Sequence, residues 1–283
     1  PNLRFPSFEE EWKTKKLGDL CKIYDGTHQT PNYVDSGIPF YSVEHITSNN
    51  FDKTKYISEE VYEKEIKRVK IEGGDILMTR IGDIGTSKYI DWNVKASFYV
   101  SLALIKQSSH INSKYLNQFI STDFFQKELW HRTIHVAFPK KINLGEIDNC
   151  IVNYPSNSEQ KKISDFLSLL DERISTQNKI LSHYQSLIQN IRNDIFKQKI
   201  RFEGFTNIWK EKTLGEIATF YSGGTPLTSK REFFDGYIPF IRSGEINSNN
   251  TEQFISELGL KNSSAKMVEI GDVLYALYGA TSG

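Results

Sequence analysis

The sequence predicts an α+β protein organised as a repeat: a mixed α/β domain, one long coiled-coil-type helix, and the beginning of a second copy of the domain. Two observations predict it. From Pro155 to about Gln198, apolar residues recur at alternating steps of four and three, with no Gly or Pro to break the run. On either side of that run the same residues return at a fixed spacing of 197.

The helix is read from its period. Ile163, Leu167, Leu170, Ile174, Leu181, Tyr184, Ile188, Ile191 and Ile195 form one stripe, and Gln177 fills the single position where an apolar residue is due. A period near 3.5 residues sustained over several heptads marks a coiled-coil seam, and a lone polar residue in it sets register and partner number. Ser156-x-x-Glu159 after Pro155 reads as a capping box. At about 1.5 Å per residue the run makes a rod of roughly 60 Å. Such a rod needs a partner helix, and up to Gly283 the sequence holds no second run of matching length.

The repeat is read from matched residues. Leu3-Arg4-Phe5, Phe8, Trp12-Lys13, Leu17-Gly18-Asp19-Leu20 and Tyr24 return as Ile200-Arg201-Phe202, Phe205, Trp209-Lys210, Leu214-Gly215-Glu216-Ile217 and Tyr221. Ile38-Pro39-Phe40 returns as Ile238-Pro239-Phe240 after a short insertion. Gly74-Asp75-Ile76-Leu77 and Gly82 return as Gly271-Asp272-Val273-Leu274 and Gly279. The expected organisation is a first domain over 1–154, the long helix over 155–198, and an incomplete second domain over 199–283. A chain that stops inside its own copy reads as a fragment or frameshift product rather than a natural half-length form.

Within the first domain, 3–20 reads as an extended arm and a short helix anchored by Trp12. Strands are expected at 21–25, at 38–43 (where Pro39 implies an edge or a strand start) and at 75–80. Gly82-Asp83-Ile84-Gly85 turns the chain. Residues 58–69 suit a short amphipathic helix. The nearly continuous apolar run 98–106 is the best strand of the domain. One helix is expected from Ser113 to about Trp130, with Tyr115, Leu116, Phe119, Ile120 and Phe124 on one side. A polar, basic loop over 131–141, a helical turn over 142–148 and a strand over 151–154 complete it. Strands and helices without regular βα alternation indicate an α+β domain.

Composition narrows the function. Thirty-five basic residues balance thirty-five acidic ones, so a nucleic-acid partner would be held by local patches rather than a global field. Two cysteines, Cys21 and Cys150, lack metal-ligand spacing and fit a reducing compartment. With neither a signal peptide nor an apolar run approaching 18 residues, a cytoplasmic protein without a membrane partner is expected. No Walker loop, dinucleotide fingerprint or H-E-x-x-H motif occurs. His131 and His135 are four apart, but Pro139 nearby favours a loop over a helical ligand pair, so no metal is expected. A methylation enzyme would need a tetrapeptide of the Asn/Asp-Pro-Pro-Tyr/Phe type, and the nearest segment, Asn153-Tyr154-Pro155, has the wrong order.

Two mixed domains joined by a helix that seeks a second helix resemble the specificity subunit of Type I restriction–modification systems. Tyr154-Pro155, Glu159-Gln160 and Ile163 resemble that family's transition from target-recognition domain to conserved helix. Leu3-Arg4-Phe5, Phe8 and Trp12 resemble its domain-opening motif, and Gly74-Asp75-Ile76-Leu77 with Gly82 and Gly85 its mid-domain turn. The resemblance implies a non-catalytic protein in which each target-recognition domain reads half of a gapped site in double-stranded DNA. It implies that two antiparallel helices space the halves and dock two adenine-methylating subunits, which endonuclease–translocase subunits join. S-adenosylmethionine and ATP then belong to the partners, with no cofactor on this chain. The absence of a second long helix leaves self-association through the seam as an alternative source of the pairing. A competing class is an interaction scaffold, two adaptor domains spaced by a coiled coil, without a DNA role.

Readout uses side chains at base edges and phosphates. Polar residues that differ between copies beside matched framework are the best candidates, because the two halves read different bases. These are Thr27, His28 and Gln29 (against Gly224-Thr225-Pro226), Tyr41 and Ser42 (against Ile241-Arg242), and Thr79 and Arg80 (against Ala276-Leu277). Arg80 leads because it leaves a strand just before a Gly-rich turn. His131, Arg132, Lys140 and Lys141 are expected to hold phosphates, and Arg242 to serve the second copy. Phe5, Phe8, Trp12 and Tyr24 are expected in the core.

Overall fold

The computed structural model describes residues 4–277; Leu3 and Gly279 of the matched motifs lie outside the described residues. The chain divides into two compact units, Pro1–Lys197 and Gln198–Gly283.

The first unit runs β1 (Lys13–Lys16), α1 (Leu17–Leu20), β2 (Ile23–Asp25), β3 (Tyr33–Val34), β4 (Ile38–Tyr41), α2 (Val43–Ser48), β5 (Lys55–Ile57), α3 (Glu59–Glu65), β6 (Ile76–Ile81), β7 (Asp83–Tyr89), β8 (Ser97–Phe98), β9 (Leu102–Ile105), α4 (Ser113–Ile120), α5 (Asp123–Arg132), α6 (Leu144–Asp148), β10 (Ile151–Tyr154) and α7 (Asn157–Phe196). The central antiparallel sheet has the order β2-β9-β6-β7. β9 is buried on both faces: Ala103 and Ile105 enter a core with Leu17, Leu116, Phe125 and Val152, while Leu102 and Leu104 enter another with Ile46, Ile71 and Ile90. A second sheet, β3-β5-β4-β8, closes over Ile38, Phe40, Ile57 and Tyr62. β1 pairs with β10, Lys13 opposite Tyr154 and Lys16 opposite Ile151, which seats the first and last strands of the domain side by side.

Several local expectations are corrected. The run 98–106 is two strands, because Tyr99–Ser101 carries the chain from the second sheet into the first; the Val100 and Thr27 amides bond across that step to Thr27 and Phe98 carbonyls. The helix expected over 113–130 is two helices. The Thr122 hydroxyl accepts from the Phe125 amide at 3.4 Å and starts α5 afresh, a Thr offering the backbone a cap in place of helix continuation. The restart buries Phe125 and leaves Phe124 exposed. His131 and Arg132 finish α5 instead of opening the loop. Pro39 is the second residue of β4, which lies between β5 and β8 and is not an edge.

The 40 residues of α7 form an unbroken rod of about 60 Å. Its start is not a capping box, for the Ser156 side chain makes no cap bond. Glu159 is instead fully buried and receives both Nε and Nη2 of Arg4, at 2.8 and 2.6 Å. Gln160 accepts from the Asn112 amide at 2.8 Å and donates to the Pro155 carbonyl at 2.9 Å. Gln118 of α4 reaches Asp171 at 2.8 Å. Ile163 packs on the core and Leu167 is half-buried. Beyond them Leu170, Ile174, Gln177, Leu181, Tyr184, Ile188 and Ile191 are all exposed, and Ile195 is half-buried. No helix among the described residues is long and apolar enough to cross a membrane.

Among its described residues the second unit holds β11 (Ile238–Pro239) paired antiparallel with β12 (Phe254–Ile255), a short α8 (Glu257–Lys261) and three 3-10 turns. Phe233 and Ile255 are buried within it.

Candidate nucleic-acid interface

Strand directions bring the ends of β2 and β6 together with the starts of β9 and β7 at one end of the central sheet. Four segments gather there: the loop after Asp25, the Tyr99–Ser101 step, the Gly82 turn, and a hairpin over 134–141. The hairpin is tied on by the Gly82 amide donating to the Lys140 carbonyl at 2.8 Å and the Ile142 amide donating to the Arg80 carbonyl at 3.0 Å. Gly82 takes the turn with φ +82°, a conformation that glycine adopts without penalty.

Asp25 is the hub. Its side chain is 8% exposed and accepts from His28 Nε2 at 2.8 Å and from Arg68 Nη2, with Arg80 Nη1 3.8 Å away. Burial pushes this carboxyl up, but the bonds from His28 and Arg68 outweigh it and hold the group below the usual carboxylate range. One buried anion thus orients three basic side chains. His28 and Arg68 are well exposed, at 66% and 52%, so the cluster presents positive charge and spare donors to solvent. Gly26 must be glycine here, since a Cβ would lie 2.0 Å from the Phe98 carbonyl oxygen.

The residues expected to read DNA divide sharply. His28 and Gln29 are exposed on the loop after β2 and Thr27 is half-buried, its hydroxyl 3.3 Å from the Gln29 carbonyl. Lys140 and Lys141 are exposed on the hairpin. Arg80 sits at this sheet end but points inward. It is 7% exposed, donates from Nε to the Ile142 carbonyl at 3.1 Å and from Nη1 to the Val100 carbonyl at 2.8 Å, and burial lowers its pKa against the pull of Asp25. It ties the hairpin to the sheet-crossing step and does not present its guanidinium to solvent, contrary to the expectation for a strand end before a Gly-rich turn. Thr79 is fully buried on Asp83 at 2.8 Å. Tyr41 is buried in an aromatic cluster with His45 and Phe51, and the Ser42 side chain faces His45 at the start of α2. Arg132 is half-buried between Glu128 at 3.1 Å and Glu146 at 3.5 Å. In the second unit Arg242 is exposed but held by Glu245 and Glu252, each at 2.9 Å. Among the described residues no group of three or more potential ligands could hold a metal.

Sequence reasoning missed Asp25 and Arg68. Arg68 lies in Lys67-Arg68-Val69-Lys70, which reads as the solvated end of a helix; the distinguishing signal, a buried carboxylate 43 residues earlier, is tertiary.

Comparison with known proteins agrees with this architecture. A crystal structure of the Type-I restriction-modification system S subunit from M. genitalium aligns with a TM-score of 0.56 at 17% identity over 91% of this chain and 65% of that one, a likeness of fold. The MjaIX specificity subunit of Methanocaldococcus jannaschii is 24% identical over 306 residues, covering 94% of this chain and 66% of the relative. The EcoR124I/EcoR124II specificity subunit of Escherichia coli is 27% identical over 196 residues, covering 66% of this chain and 46% of the relative. The chain therefore spans about two-thirds of the first relative's length and under half of the second's. The family described as Type I restriction modification DNA specificity domain matches residues 9–183, which run into the exposed part of α7, and again residues 207–283. The chain belongs to that family.

Proposed function

We propose that this chain is the DNA-reading component of a Type I restriction–modification complex, itself without catalytic residues. Its first unit reads one half of a bipartite site in duplex DNA. The observation that carries the reading is the sheet end where buried Asp25 aims His28 and Arg68 outward beside Gln29, Lys140 and Lys141. Lysines contact phosphates as point charges, whereas a pre-oriented Arg and a Gln suit base edges. Orientation by a buried carboxylate removes part of the entropy that an Arg loses on binding. Thr27 and the two lysines remain proposed contacts; Arg80, Thr79, Tyr41, Ser42 and Arg132 are proposed to support the surface instead of touching DNA, and Arg242 is a contact only if released from its carboxylates.

The exposed stripe of α7 is proposed to pair with a second long helix and to dock methylating subunits, so that S-adenosylmethionine and ATP are used by partners, including endonuclease–translocase subunits, in the cytoplasm. A rod of about 60 Å exceeds one duplex turn of about 34 Å, enough to separate two reading units along DNA. Mapping adenine methylation in cells that express this chain with its neighbouring methylating subunit tests the proposal. A gapped, two-part motif that disappears when the chain is deleted is expected; an unchanged methylation map refutes it. Inverted half-sites would indicate two copies of this chain, and unrelated half-sites two different reading units.

A further inference from the structure

We propose that Phe138, at the tip of the 134–141 hairpin, is a wedge that inserts between adjacent base pairs of duplex DNA; this rests on the DNA-reading role proposed above. Phe138 and Val136 are 104% and 97% exposed, so the first unit presents two apolar side chains that it does not use for its own packing. The stem beneath them is braced. The Ile134 amide donates to the Lys141 carbonyl at 2.8 Å, and Lys141 also bridges Ile81 at the end of β6. Trp130 lies against both sides of the stem, its ring 4.1 Å from the His135 ring and 5.5 Å from the Lys140 ammonium. The tip is thus a projection held on the same sheet end as the Asp25–His28–Arg68 cluster.

Charge selects the occupant. From Ile134 to Lys141 the hairpin has no carboxylate, and exposed Lys140 and Lys141 follow the apolar tip directly. Lysines next to the tip suit the phosphates beside a base step, while an exposed aromatic ring suits the stacked bases. Apolar side chains inserted at a step unstack it and kink the duplex. Phe has no donor or acceptor, so this contact would select easily unstacked steps rather than base edges.

The test begins with a pool of random-sequence duplexes from which the full chain enriches a sequence. That duplex is then rebuilt with 2-aminopurine at each position in turn, since its fluorescence rises when it is unstacked. The expected result is a rise at one step on binding, abolished in Phe138→Ala together with a tenfold or greater loss of affinity, and retained in Phe138→Trp. Phe138→Ala should melt like the parent protein, because the side chain supports no packing. A fluorescence rise or affinity unchanged by Phe138→Ala overturns the wedge. So does normal duplex binding with weakened recovery of the methylating subunits, which would make the tip a protein-docking element. If the parent chain enriches no sequence at all, the DNA-reading role itself fails; if it enriches one that Phe138→Ala binds equally well, only the wedge does.

Discussion

The two units share sequence but not packing, and the difference separates what a short segment specifies from what the rest of a domain must supply. Contacts made between residues close in sequence, no more than 14 apart, recur in both. Arg4 donates to the Glu10 carbonyl and Arg201 to the Asn207 carbonyl, each six residues on. Thr54 reaches the Phe40 carbonyl and Thr251 the Phe240 carbonyl, at 2.9 and 2.8 Å. Ser58 caps α3 and Ser256 caps α8. Among the described residues, contacts that bridge a whole domain occur only in the first unit. Leu17 is fully buried against β10 and the α4–α6 layer, whereas Leu214 is 66% exposed; Ile76 is 1% exposed and Val273 91%. Arg4 holds Glu159, 155 residues away. The core that buries Leu17 draws on residues as far along the first unit as Val152 and Tyr154.

The largest expected effect is on Leu17. Leu17→Ala should cost about 2–5 kcal/mol in denaturant unfolding, whereas Leu214→Ala should cost no more than about 0.5 kcal/mol. Equal losses would mean that the second unit builds a core equivalent to the first. Next comes the Arg4–Glu159 pair. Arg4 holds the Glu159 carboxyl below its ordinary range, its bonds opposing burial. A depressed carboxylate contributes stability above the unfolded value of about 4.3, lost as pH falls through the folded value. Glu159→Gln should therefore lower stability by about 1–3 kcal/mol near neutrality and flatten acid unfolding below about pH 4. An unchanged acid limb would show that the pair is not linked to folding. The smallest stability effect distinguishes two arginines. Arg68→Ala should weaken duplex binding about tenfold, near 1.4 kcal/mol, with a smaller loss of stability than Glu159→Gln because His28 still bonds Asp25. Arg242→Ala, already neutralised by two carboxylates, should change binding less than about threefold. Reversal of that order would place the reading surface in the second unit.

Features with a short-range cause were legible in the sequence. The unbroken heptads gave α7, the double glycine before Asp75 gave the turn into β6, and the mixed pattern gave an α+β fold. Features decided by distant partners were not. Ser156 and Glu159 have capping-box spacing, yet Arg4 takes the carboxylate. Arg80 has the sequence context of a solvent-facing strand end, yet Ile142, 62 residues later and just past the hairpin, supplies a carbonyl that holds it inward. The polar loop hid Phe138 because one aromatic among basic residues leaves no periodicity to detect. The exposure of His28, Gln29, Lys140 and Lys141 was legible because they occupy turns, where exposure is the default.

The pairing of β1 with β10 makes the intervening chain an excursion that departs from and returns to one place. Leu17 through Cys150 hangs from a two-strand clasp, with Lys16 opposite Ile151 at its mouth. Asn112 and Gln118, inside that excursion, in turn hold Gln160 and Asp171 of α7, so clasp and helix start form one support from which the sheet end projects. The arm, clasp and rod thus fix where the sheet end stands, and its exposed turns carry the residues proposed to read DNA.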